Sequence, residues 1–468
     1  MSEKLSNEKG LLFFFFSLLS LLNLVALNSS ITLANDTETS QMPEANSHAS
    51  EDISFIDTAV AEGLETEAIW FGYTKEVTIA TRHETPINKA PSIVTVITGK
   101  EIKNLGYRTL IEILKTVPGF EIRKEPATGV VEPIVRGVEG ANKVKVMLNG
   151  HTINTTSTGS AFGRFDDFPV ENIKKIEIIR GPGSAMYGEN AFLAVINIIT
   201  VDAEDIDGVR VSSGYGSFDT YEENVVFGDR YGKVDISGMA HYRQTTGFDG
   251  IVKSDFQTAL DNLFGSSASQ APGRVRDGSQ EYDLNLKVTY EGLWFQGWYS
   301  NKNREPFLGG GLSLNDESDL EDNYVFGEIG YKKTLEERFT LRPRAYYDQF
   351  DSNSKFEAFP ENTVLPDINE EFTIYPDGQI FIVKGIERVV GTEIPLDYTL
   401  FDGNIITLGL EYRLINHPIT TFSLISTKSQ ELHYLISKIF LIHFPFYLIS
   451  HEEYFPFIFR ILGILLIP

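Results

Sequence analysis

The sequence predicts a compact α+β module followed by antiparallel strands of an outer-membrane β-barrel type. One observation is a series of near-equal strands between Ala203 and Leu414 whose side chains alternate in polarity with period two. The second is the stretch from Pro86 to Val201, which mixes a helical pattern with short strands. Composition removes other classes. A length of 468 residues suggests two or three folded units at about 100–200 residues each. With 12% aromatic and 22% charged residues the chain is too apolar to be disordered throughout. The 65 Asp+Glu against 40 Lys+Arg, a net charge of -25, exclude a nucleic-acid surface, which needs clustered cations. The absence of Cys excludes thiol nucleophiles, disulfides and thiolate metal sites together.

Lys4 and Lys9 precede an apolar run from Leu11 to Leu27, and Thr32-Leu33-Ala34 follows it. Charged, apolar and then small residues form the pattern of a secretory signal over residues 1–34. An uncleaved anchor is the alternative, at the short edge of the about 17–25 residues needed to span. Residues 35–74 carry nine acidic side chains and no Lys or Arg, which predicts a solvated, disordered tether over residues 35–75. Glu76-Val77-Thr78-Ile79-Ala80 is a short, β-branched, extended segment between that tether and the module.

The module covers residues 86–203. Ser92–Thr98 reads as a strand, and Gly99-Lys100-Glu101 opens a helix through Leu114 with Leu105, Leu110, Ile113 and Leu114 on its apolar side. Val117-Pro118-Gly119 stops it. Short strands follow at Pro133–Arg136, Lys143–Leu148, Lys174–Arg180 and Val195–Thr200, with Asn149-Gly150 as a tight turn.

Residues 204–414 supply about nine strands. In Glu281–Tyr290 the residues Tyr282, Leu284, Leu286, Val288 and Tyr290 face opposite to Glu281, Asp283, Asn285, Lys287 and Thr289. Lys233–Arg243 and Thr407–Arg413 repeat the pattern. The links at Gly228–Gly232, Glu291–Gly292, Thr334–Glu337 and Phe401–Asn404 are tight, whereas those near 247–280, 301–322 and 352–380 are long. Strict alternation of short and long links separates a barrel in lipid, apolar set outward, from a soluble sandwich. Pro343 requires a bulge or distorted pairing. An odd number of strands leaves an edge that hydrocarbon cannot satisfy, so the barrel is expected to be incomplete. Residues 415–468 change character: 26 are Ile, Leu or Phe, with no Val, Ala or Asp. This atypical tail is expected to be out of frame or past a gene disruption, a terminal membrane hairpin being the alternative.

Four motifs in the module decide its kinship: Ile134-Val135-Arg136-Gly137-Val138, Met147-Leu148-Asn149-Gly150-His151, the run Ile176 to Gly188 containing Arg180-Gly181-Pro182-Gly183-Ser184-Ala185-Met186-Tyr187, and Val195-Ile196-Asn197-Ile198-Ile199-Thr200. In order and spacing they resemble the plug domain of TonB-dependent outer-membrane receptors, and the strands that follow resemble the start of that family's barrel. Phe192-Leu193-Ala194 stands where many members carry two glycines.

The resemblance implies an outer-membrane receptor in a Gram-negative-type cell, exported by its signal peptide, that takes up a scarce nutrient complex. A ferric siderophore is the leading ligand, with cobalamin, haem or a saccharide as alternatives. Its partners would be the TonB energy transducer in the periplasm, outer-membrane lipid and a metal-chelate ligand, with no nucleic acid. Glu76, Val77, Thr78, Ile79 and Ala80 resemble the TonB box, which pairs by β-augmentation; a plain linker strand is the alternative. Arg136, Glu171, Glu177 and Arg180 are implied as plug–barrel contacts, or as salt bridges inside the plug. The outward loops 124–131 and 152–162 are implied as ligand-binding, with Glu125, Thr128, Asn154, Thr155, Thr156 and Ser157 as their polar groups. Two other readings stand beside this one: an exported ligand-binding plug and half-barrel without transport, and a non-functional receptor remnant.

No residue is assigned a catalytic role and no cofactor is expected. The sequence holds no G-x-S-x-G, no phosphate-loop, dinucleotide or H-E-x-x-H motif, and no spacing typical of a calcium loop. Gly181-Pro182-Gly183-Ser184 lacks a following Lys, and Pro182 removes a backbone donor. The reading is therefore of a receptor rather than an enzyme, without a resident metal.

Overall fold

The strand-rich half sorts its side chains in the opposite sense to a water-soluble sheet. Glu281, Asp283 and Asn285 are 4%, 2% and 7% exposed, whereas Tyr282, Leu284 and Leu286 between them are 43%, 53% and 39% exposed. A wall that hides carboxylates and presents Leu and Tyr outward fits hydrocarbon outside and a polar lumen inside. The computed structural model describes residues 76–79, 85–86, 93–336, 338–366, 372–401, 404–425 and 458–466. The expected signal, the tether, Ala80 and most of the tail lie outside the described residues. Residues 77–85 and 90–468 group as one unit; of the other, Glu76 and Pro86 are described, both with extended backbone.

The plug folds first in chain order. Strand β1 (Val94–Thr98) leads into helix α1 (Gly99–Leu105), where Thr98 and Glu101 form a reciprocal capping box. The helix expected through Leu114 is two. Gly106 ends α1 in the left-handed conformation at φ 71°, and Thr109 caps α2 (Leu110–Leu114) by accepting from Glu112 N. A hairpin of β2 (Phe120–Lys124) and β3 (Val131–Val135) follows, then β4 (Val144–Leu148), β5 (Ile173–Arg180) and β6 (Ala194–Thr200). The central sheet runs β1-β5-β6-β4, with β4 parallel to β6 and the other pairs antiparallel. Ile176, Ile178, Ile196, Ile198, Val144 and Val146 pack against Leu110, Ile113 and Leu114, all fully buried.

The wall is one sheet of ten long strands among the described residues, each antiparallel to the one before. They are β7 (Gly208–Gly216), β8 (Thr220–Tyr231), β9 (Val234–Thr245), β10 (Ser279–Tyr290) and β11 (Leu293–Arg304). Then come β12 (Asp319–Tyr331), β13 (Arg344–Phe359), β14 (Gln379–Phe401), β15 (Asn404–Ile425) and β16 (Ile458–Leu466). Strand β15 passes the boundary expected at Leu414, and β16, from the stretch read as tail, pairs with it.

Two local expectations change. The first link on the long-loop side, Ser217–Asp219, is short, so the strict alternation of link lengths begins one hairpin later. Pro343 bends no strand. It sits between a small hairpin (Lys333–Leu335 with Phe339–Leu341) and β13, where its carbonyl still accepts from Tyr331 N at 3.0 Å. Arg342 N still reaches Pro395 O at 3.0 Å, and pairing resumes at Arg344 opposite Glu393.

Candidate functional site

The alternation that sends Lys302, Arg304 and Arg243 inward also places them where the plug presents Asp166 and Asp167. These carboxylates end the short helix Phe162–Phe165. Lys302 Nζ donates to Asp166 at 2.7 Å and also pairs with Asp167; Arg304 Nη2 donates to Asp166 at 2.6 Å; Arg243 reaches Asp167 at 3.4 Å. Arg304 also donates to Gly129 O at 3.2 Å. Lys302, Asp166 and Arg304 are at most 8% exposed. Burial alone would raise the Asp167 carboxyl, but Lys302, Arg304 and Arg243 outweigh it and hold it well below the usual carboxylate range. Beside this cluster Phe168 stacks on Trp298 with centroids 4.8 Å apart, and Phe165 meets Tyr324 edge-on at 5.7 Å.

A second fastening lies at His151. Its Nδ1 is 2.8 Å from Glu328 Oε2 and its Nε2 is 2.7 Å from Asp348 Oδ1, while its ring stacks on Phe326 at 4.1 Å. Burial would lower this imidazole, yet Asp348 and Glu328 push it up to about 9. Asn149 adds a 3.1 Å bond to Gln296, and Arg344 donates to Gly150 O at 3.1 Å.

The segment ahead of the plug is seated rather than free. Val77 and Ile79 are 0% and 1% exposed, and Ile79 packs with Met147, Ile179, Tyr187, Ala191 and Val195. Glu177, wholly buried on β5, accepts from Thr78 N at 3.1 Å, Thr78 Oγ1 at 3.1 Å and Ile79 N at 2.9 Å. Lys175 pairs with the same carboxylate at 2.8 Å, and Tyr187 donates its hydroxyl to Ile79 O at 2.6 Å. One carboxylate and one phenol thus hold three backbone groups of the segment.

Comparison with known proteins agrees with this geometry. A family model described as the TonB-dependent Receptor Plug Domain matches residues 86–195. Residues 86–195 are thus a plug domain of the TonB-dependent receptor type. The Vitamin B12 transporter BtuB of Vibrio vulnificus is 32% identical over 227 residues, covering 45% of this chain and 36% of that protein. The unliganded ferric citrate transporter FecA superposes with a TM-score of 0.55 at 16% identity, over 76% of this chain and 52% of FecA. BauA, the ferric preacinetobactin receptor from Acinetobacter baumannii, gives 0.54 at 12%, over 76% of this chain and 51% of BauA. At such identities the likeness to solved receptors is one of fold. The chain spans about a third of the length of the B12 transporter and about half of each solved receptor.

The TonB-dependent receptor plug uses several expected residues differently. Arg136 and Arg180 bond within the plug, Arg136 Nη2 to Arg180 O at 2.9 Å and Arg180 Nη1 to Pro118 O at 3.3 Å, and Arg136 is exposed. Glu177 grips the seated segment, so these three are internal contacts and not barrel contacts. Glu171 lies half-buried just before β5. Among the loop residues, Thr128 donates its N–H and hydroxyl to Glu125, closing its own turn. Asn154 is absorbed by Val146 N, Val144 O and Gly159 O. Thr156 N and Ser157 N both donate to Glu387 on β14, the latter at 2.9 Å. Asn154, Thr155 and Thr156 meet Tyr324, Tyr346 and Glu387 around a cleft of about 50 Å³; Glu125, Thr128 and Ser157 do not line it. His151 stands in a sequence motif that assigns it no contact, and no motif marks Asp166-Asp167. Adjacent carboxylates inside the aromatic run Phe162 to Phe168 were the available signal.

Two outcomes follow. Because the chain has no Cys, a nitroxide on Ala80→Cys reports the segment alone; Glu177→Gln should narrow its electron-spin-resonance lines, and an unchanged spectrum would refute the clamp. The His151 value lies above the ordinary 6.5 or so, so protonation favours the seated plug: its contribution is full below about pH 6.5 and lost as pH rises through about 9. Resistance of the plug to urea should fall across that range in the native chain. In His151→Gln it should be lower and lack this component.

Proposed function

We propose that this chain acts in TonB-dependent uptake of a scarce nutrient complex across the outer membrane, with a ferric siderophore as the ligand class. Residues 76–80 are the segment offered to TonB in the periplasm, and ligand binds on the opposite side, at the plug loop around Thr155 and Thr156 and the wall residues facing it. The observation that carries this reading is the seat of Val77–Ile79: a short β-branched segment held by one carboxylate and one phenol can leave without unfolding the plug core. Once released, its backbone donors and acceptors are available for pairing with a partner strand. The outer membrane lacks ATP, so the work of moving the plug comes through that pairing. Export by the N-terminal signal and residence in the outer membrane belong to the same proposal.

A corrinoid is the second reading, favoured by the 32% identity to a protein named as a vitamin B12 transporter. The solved neighbours named for ferric citrate and ferric preacinetobactin favour the iron chelate.

Purified full chain in detergent, mixed with the periplasmic domain of TonB and either ferric citrate or cyanocobalamin, tests both. The TonB domain should co-elute more strongly with the matching ligand, and Thr78→Pro, which removes a backbone donor, should abolish co-elution. Co-elution unaffected by Thr78→Pro would overturn the assignment of residues 76–80.

A further inference from the structure

Three wall strands bring together a set of polar side chains, of which Arg243 reaches the plug at Asp167. On the lumenal face of β8, β9 and β10, His241 lies directly opposite Asp283 on one side and Asn224 on the other, and Arg243 lies between Glu222 and Glu281 in the same way. Period two puts all six on one face. His241, Glu281, Asp283 and Asn224 are 4%, 4%, 2% and 4% exposed.

This patch is under-satisfied. His241 Nδ1 lies 3.2 Å from Asp283 Oδ2, but His241 Nε2 has no hydrogen bond and its nearest carboxylate, Glu222 Oε1, is 3.8 Å away. Glu281 Oε1 and Asn224 Oδ1 have none either. The nearest cation to Glu281 is Arg243 at 4.0 Å, and Arg243 is committed to Asp167. A buried polar atom left without a partner costs about 1–3 kcal/mol, more when charged. Three such atoms on one patch call for a common occupant.

We propose that His241, Glu281 and Asp283 form a binding site for a divalent first-row metal ion on the inner wall. One ligand atom from each residue lies within 4.8 Å of the others, and all three residues are buried. An imidazole nitrogen with two carboxylate oxygens suits zinc or a neighbouring transition ion rather than calcium or magnesium, which favour oxygen alone. Two carboxylates balance the charge of the ion, and Glu222 or Asn224 stands ready as a fourth donor. The ion would cross-link β9 to β10 at the level where Arg243 meets the plug, so its presence stiffens the wall behind the Asp167 contact. Sequence spacing could not announce this site, because His241 lies on a different strand from Glu281 and Asp283 and register alone joins them.

The test is zinc titration of the chelator-stripped full chain, by calorimetry and by melting temperature, against His241→Gln and Glu281→Gln. Both variants are first checked for native heat-modifiable migration. Because other histidines bind zinc weakly, the site is defined as the increment that both variants lose. The native chain should bind one tight equivalent and melt higher with zinc. Each variant should weaken that equivalent by at least about tenfold, since even outer partners of a metal site are worth about 10–100-fold. Asp249→Asn, on an exposed loop, should behave as native. X-ray absorption of the zinc-loaded chain should show one imidazole with oxygen ligands. Absence of the tight equivalent in the native chain, or its retention in both folded variants, overturns the proposal.

Discussion

The buried contact of Asp166 and Asp167 with Lys302, Arg304 and Arg243 is the constraint around which this molecule is arranged. Removing one partner of such a set leaves an uncompensated charge out of water, at about 3–5 kcal/mol. The wall therefore needs its plug, and the plug needs the wall. The lumen of a barrel in lipid is polar because the apolar side chains are turned outward, and that polar interior has to be paired with something. Here the plug supplies the carboxylates and the wall the cations at one level, and the roles reverse at His151, where Glu328 and Asp348 come from the wall.

Seating of the terminal segment follows from that fixed plug. Strand β5 sends Ile176 and Ile178 into the plug core and Glu177 to the opposite face, where Thr78 and Ile79 lie. The plug core holds Glu177 in place, while the segment it grips is attached by few bonds and one small apolar cluster. Rigid support beneath a weakly held strand is what a releasable signal requires. The two fastenings differ in kind. The wall contact is several buried ion pairs with stacked aromatic rings, and the segment contact is a carboxylate on backbone donors.

Much of the fold was legible because period and polarity are local. The alternation in Glu281–Tyr290 gave the outward and inward faces as they are found, and the four plug motifs gave the module and its family. What failed was local punctuation with two readings. Gly106 ends a helix that the apolar spacing carried through to Leu114, and Pro343 sits in a gap between strands and not inside one. Contacts made between distant segments were beyond reach. Arg136 and Arg180 invited a wall partner by their charge, yet they bond to each other's neighbourhood within the plug. Nothing in the sequence near Lys302 says that Asp166 faces it, since that meeting depends on how far the plug enters the wall.

The most direct test of the account is a double-mutant cycle on Asp166 and Lys302, with plug release in urea read through the fluorescence of Trp298, which stacks on Phe168. Each of Asp166→Asn and Lys302→Met should weaken seating strongly, and the double variant should weaken it by much less than the sum, because the second change removes a charge the first left stranded. Additivity within about 0.5 kcal/mol, the behaviour of independent sites, would contradict it.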